Sequence, residues 1–89
     1  DRVSVDCPDD RKEAVMAALE DEVPDAVAGA AVESINSADG VKCMLEDGTW
    51  LLVRPSGTEP KLRIYAEAET DDRIDELLVA GRAIVEPLL

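Results

Sequence analysis

The 89 residues contain no histidine and no phenylalanine, and one Trp and one Tyr are the only aromatics. With hydrophobic residues at 46%, the core must be built from Val, Leu, Ile and Ala, and the chain is too apolar for an acidic disordered tail. Two cysteines, Cys7 and Cys43, are too few for a disulfide scaffold and are expected as buried free thiols. There is no C-x-x-C, no His cluster and no EF-hand-like acidic spacing, so no metal site is expected. No apolar run of about 18 residues and no signal-peptide pattern occurs, which excludes membrane partners and points to a cytoplasmic chain. Asp1 in place of an initiator Met suggests a piece of something longer.

Positive charge is scarce as well. Nine Lys+Arg, three of them Lys, stand against 21 Asp+Glu, a formal charge of −12 with a pI near 4.1. Such a field repels phosphate backbones and anionic headgroups, and exposed aromatics for base stacking are missing, so nucleic acid is excluded as a partner. Many hydrated carboxylates also suit a high-salt habitat, where a Debye length of about 3 Å at 1 M screens their repulsion. The length allows one domain that buries roughly 60–65% of its unfolded surface.

Val3 and Val5 alternate with polar neighbours as a short strand, and Pro8-Asp9-Asp10 opens a helix whose apolar face is Val15, Met16, Leu19 and Val23. Pro24 stops that helix. A loop with Asp25 and Gly29 leads to a strand around Val32 and Ile35, and Asn36 to Gly40 turns the chain. Val41, Cys43 and Leu45 alternate inward, and Asp47-Gly48 makes a hairpin turn into Trp50-Leu51-Leu52-Val53. Leu62, Ile64, Ala66 and Ala68 alternate in a last strand, with Tyr65 facing outward. Thr70 then caps a helix whose stripe is Ile74, Leu77, Leu78, Gly81, Ile84 and Val85. The fold class is α+β: a two-layer domain of order β-α-β-β-β-α, with a four-stranded, mostly antiparallel sheet and both helices on one face. Trp50 is expected in the core, with stacking on a sugar as the alternative.

One stretch opposes the charge of the rest. Arg54-Pro55-Ser56-Gly57-Thr58-Glu59-Pro60-Lys61-Leu62-Arg63 holds three basic residues and one acidic, a local +2, leaving six basic and twenty acidic residues, −14, over the other 79. Its chemistry suits a phosphate monoester: Ser56 and Thr58 offer hydroxyls, Gly57 lets backbone N–H groups approach without a Cβ, and Arg54 can bind two oxygens at once. Pro55 and Pro60 bracket the loop and lower the entropy lost when it closes. Glu59 is expected to shape the loop through backbone contacts or by pairing with Arg54 or Arg63, and Lys61 adds positive field. Neither the P-loop nor the dinucleotide glycine spacing is present. An ordinary surface turn with Arg54 paired to a carboxylate has the same composition, and composition alone does not separate the two.

The run RPSGTEP, preceded by DGVK and DGTWLLV and followed by LRIYAEA, resembles the C-terminal domain of the α-D-phosphohexomutase family, which includes phosphomannomutase/phosphoglucomutase and phosphoglucosamine mutase. The resemblance is densest from Asp39 to Ala68 and extends over residues 1–89 as one domain. It implies a TATA-binding-protein-like domain that closes over the active site of a larger, cytoplasmic phosphohexomutase, an isomerase of phosphotransferase type moving phosphate between hexose positions 1 and 6. By match to the motif, the loop grips the hexose phosphate that is not being transferred, with Arg54, Ser56, Gly57 and Thr58 as contacts. Arg63 comes second, since it could serve the ligand or the loop. The phosphoserine and Mg2+ of the reaction are implied on upstream domains, so no catalytic residue, metal or cofactor is expected in this segment, and activity of the segment alone is not expected either. The alternative is a stand-alone regulatory or interaction module that senses a phosphorylated metabolite.

Overall fold

The computed structural model describes residues 2–89. Six strands and two helices make up the fold: β1 (Arg2–Asp6), α1 (Lys12–Asp21), β2 (Ala26–Val27), β3 (Ala30–Asn36), β4 (Val41–Leu45), β5 (Trp50–Pro55), β6 (Lys61–Glu67) and α2 (Asp71–Val85). A 3-10 turn, Asp9–Arg11, leads into α1, and another, Glu86–Leu88, follows α2. The strand order is β1-β6-β5-β4-β3-β2, with every neighbouring pair antiparallel.

Period-two alternation assigns the sheet faces. Val5, Val41, Cys43, Leu45, Leu51, Val53, Leu62, Ile64 and Ala66 are buried on one face, against Val15 and Leu19 of α1 and Leu77, Leu78 and Val85 of α2. Burying a Leu or Val side chain of this kind contributes about 1.5–3 kcal/mol, so the layer contact is the main stabilising term. Both helices lie on this one face, as the sequence predicts. Cys7 and Cys43 are buried and unpaired, and burial raises the Cys43 thiol above its usual range.

The expected four-stranded sheet is corrected to six strands: the alternations mark five, one more than the expected order counts, and the sixth is β2. β2 was unreadable because two residues carry no period; it exists because Ala28 and Gly29, at φ 50° and 81°, form a two-residue hairpin turn into β3. Trp50 is also corrected. Leu51 and Val53 point inward, so strand parity turns Trp50 and Leu52 to the opposite face, where Trp50 is half-buried. Its Nε1 donates to Glu67 at 2.7 Å, and Lys42 Nζ lies 4.5 Å from the ring centroid.

The Asp47-Gly48 turn and the Thr70 cap form as expected. The β4–β5 hairpin turns through Glu46, Asp47 and Gly48, with Gly48 at φ 86° and its N–H donating to the Leu45 carbonyl at 3.1 Å. Asp47 accepts from both the N–H and the hydroxyl of Thr49, which holds its carboxyl below the ordinary carboxylate range, with a smaller contribution from Arg73. Thr70 Oγ1 accepts from the Arg73 N–H at 3.2 Å as the cap of α2. Among the described residues no helix is long and apolar enough to cross a membrane.

Candidate functional site

β5 and β6 are joined by the loop Ser56 to Pro60, which lies at one end of the sheet. Register decides its surroundings: Arg54 on β5 is the direct cross-strand partner of Arg63 on β6, and both point to the face that the helices leave open. Two like charges directly opposite are unfavourable by themselves. Each guanidinium leans on a carboxylate, Arg54 on Asp39 and Arg63 on Glu59, both at 3.5 Å. Those carboxylates are 79% and 50% exposed, and such pairs are worth about 0–1 kcal/mol, so a dianion can displace them. Glu59 thus takes the second of its two expected partners.

Asp39 reaches Arg54 from the β3–β4 turn, where Asn36 Oδ1 accepts the Ala38 N–H at 2.9 Å. Gly40, at φ 87°, is required there: a Cβ on it would run into the Val53 carbonyl and come within 2.8 Å of the Arg54 Cβ. This turn supports the stem of Arg54, a role that sequence reading did not give it, although the Asp-Gly pair marked the turn.

Within the loop, Ser56 is 7% exposed and its Oγ accepts from the N–H groups of Thr58 and Glu59, at 3.3 and 3.2 Å. In this structure Ser56 shapes the loop, and its hydroxyl proton is what it retains for a ligand. The Ser56 N–H donates to the Lys61 carbonyl at 2.9 Å, and the Pro60 carbonyl accepts from Cys7 at 2.8 Å, which ties both ends of the loop to the sheet. Pro55, Gly57, Thr58, Glu59 and Pro60 are exposed. Among the described residues the Gly57 N–H donates to no protein group. Gly57 has no positive φ and open space where a Cβ would stand, so the fold itself makes no demand for glycine there. Lys61 pairs with Asp6 at 3.4 Å.

Sequence reading missed Lys12. Its ammonium, at the start of α1, donates to the carbonyls of Ser56 and Glu59 at 2.7 and 2.6 Å and pairs with Asp9 at 2.6 Å. Nothing in the spacing announces it, because 44 and 47 residues separate the partners.

A shallow cleft at the opposite end of the sheet, lined by Asp47, Thr49, Glu67, Glu69, Thr70 and Arg73, holds three carboxylates against one guanidinium and is unsuited to an anion. Among the described residues no group of three or more His, Cys, Asp or Glu side chains could hold a metal ion.

Residues 3–83 match the family model described as phosphoglucomutase/phosphomannomutase, C-terminal domain. A probable phosphoglucosamine mutase of Methanothermobacter thermautotrophicus is 43% identical over 99% of this chain, and one of Methanopyrus kandleri is 46% identical over 85%. A phosphopentomutase of Thermococcus kodakarensis is 41% identical over 99%. The chain spans 16–19% of the length of these curated relatives.

Proposed function

The chain belongs to the phosphoglucomutase/phosphomannomutase C-terminal domain family, and from that premise we propose that its loop from Arg54 to Pro60 grips the non-transferred phosphate of a sugar phosphate in a larger, cytoplasmic phosphohexomutase. The parent enzyme moves a phosphoryl group between positions 1 and 6 of a hexose, with the phosphoserine and Mg2+ supplied by upstream domains. This domain, of the TATA-binding-protein-like kind with its sheet enlarged, closes over the site.

The observation that carries the reading is the cross-strand pairing of Arg54 and Arg63 beside the loop. Their planar forks suit phosphate oxygens, and a dianion between them would relieve their mutual repulsion. The Gly57 N–H, the Thr58 hydroxyl and the Ser56 hydroxyl proton add donors on the same loop. Together these contacts orient a phosphate without locking it, as a bisphosphate that must turn around requires. Closure also keeps water from the phosphoryl group in transit. The relatives include a probable phosphoglucosamine mutase and a phosphopentomutase. That range fits a loop that reads the phosphate and leaves the sugar to other domains.

Titration of the chain with glucosamine 6-phosphate is expected to shift the amide signals of Arg54, Ser56, Gly57 and Thr58. Arg54→Ala removes one charge-assisted contact, worth about 1.5–3 kcal/mol, and should weaken binding by roughly 10- to 100-fold. Shifts centred elsewhere, or binding that survives the substitution, would remove the loop from the site.

A further inference from the structure

Lys12 has three N–H donors, and the structure accounts for all of them: the Ser56 carbonyl at 2.7 Å, the Glu59 carbonyl at 2.6 Å and Asp9 Oδ1 at 2.6 Å. Its side chain is 15% exposed, whereas that of Asp9 is 77% exposed. A surface lysine paying side-chain entropy for one exposed carboxylate would gain little. The two backbone carbonyls, at either end of the tight turn of the loop, are the partners that make the placement worthwhile.

We infer that Lys12 is a positioning residue for the phosphate loop, one that aims the Gly57 N–H at the bound phosphate without touching the phosphate itself. This rests on the phosphate reading of the loop. The physical reason is the planar trans peptide: the Ser56 C=O and the Gly57 N–H belong to one unit and point in opposite directions. Pinning the carbonyl on the Lys12 ammonium turns the N–H away from α1, toward the exposed side of the loop. A cation on the carbonyl oxygen also polarises the unit and makes the N–H a stronger donor. The second anchor, on Glu59, holds the far side of the same turn, so the loop enters binding with its entropy already reduced. With every donor in use, the ammonium contributes field and direction but no direct contact.

The test compares the wild-type chain with Lys12→Met, which keeps the apolar stem, by NMR titration with glucosamine 6-phosphate. Loss of charge-assisted anchoring is expected to weaken binding about tenfold and to shrink the ligand-induced shift of the Gly57 amide proton relative to those of Thr58 and Arg54. Equal affinity and an equal Gly57 shift in the variant overturn the inference and leave the phosphate reading standing. A wild-type loop that ignores the ligand overturns that reading, and the inference with it. Should Lys12→Met fail to fold, the wild type still decides: hydrogen-bond scalar couplings from Lys12 Nζ to the carbonyl carbons of Ser56 and Glu59 must persist at saturation. Their loss on binding means that the ammonium moves to the ligand, which overturns a positioning role.

Discussion

Gly57 separates what the fold needs from what a ligand needs. A Cβ there meets nothing within 4 Å and φ is not in the left-handed region, so Gly57→Ala should leave thermal unfolding unchanged, within about 0.5 kcal/mol. The same methyl group would stand where the proposed phosphate approaches the backbone, so on that reading the affinity for glucosamine 6-phosphate should fall. Calorimetry beside an NMR titration checks both halves, and equal affinity in the variant would place the phosphate away from Gly57. The loop was legible as a stretch because its local +2 stands out against the −14 of the other 79 residues, although the same composition also suits an ordinary surface turn. Roles were less so. Ser56 turned out to accept two loop N–H groups, and Glu59 to hold Arg63, because hydroxyl and carboxylate partners depend on which way the loop folds.

At the scale of elements, α2 meets the sheet closely at Gly81. A Cβ there would lie 2.8 Å from Ile64 Cγ2 and 3.2 Å from a Leu51 methyl, both on buried side chains of the central strands β6 and β5. Alanine would gain about 1 kcal/mol of helix propensity and meet an overpacking cost of about 1–3 kcal/mol. Because Ile64 is β-branched and stiff, the clash is expected to win. Gly81→Ala should lower the unfolding midpoint measured by circular dichroism, by roughly 4–8 °C for each kcal/mol lost; a raised midpoint would mean that the helix simply shifts outward. The stripe containing Gly81 was readable from helical spacing, and so was the Thr70 cap. What spacing could not supply was β2: its existence depends on Ala28 taking a positive φ, which its carbonyl, held by Arg73 Nη1 at 2.6 Å, helps to stabilise.

Over the whole molecule, the charge of −12 is unevenly laid out. Five of the nine basic residues, Arg2, Lys42, Arg54, Lys61 and Arg63, occupy register positions on the open sheet face. Carboxylates crowd the helical layer instead, with Asp9, Asp10, Glu13, Glu20 and Asp21 around α1 and Asp71, Asp72, Asp75 and Glu76 on α2. Asp6 and Glu67 share that face, so the loop borders the less acidic of the two layers, which on the proposed phosphate reading favours approach of an anion from that side. Salt should act on the two layers in opposite directions. Going from dilute buffer to about 1 M KCl screens helix-side repulsion and should raise the unfolding midpoint, while the affinity for glucosamine 6-phosphate falls. A midpoint that does not move would show that self-repulsion is not what limits stability.

Residue order alone determined the α+β class, both helices with their buried stripes, the inward faces of β4 and β6 and the loop that carries the candidate site, because alternation, helical spacing and turn residues act within a few positions of each other. Only the tertiary structure decided that Arg54 stands opposite Arg63, that Trp50 lies on the open face and that Lys12 fastens the loop from beneath. Those depend on strand register and on a helix docking dozens of residues away. Burial of the whole apolar face, and no local preference, sets that geometry.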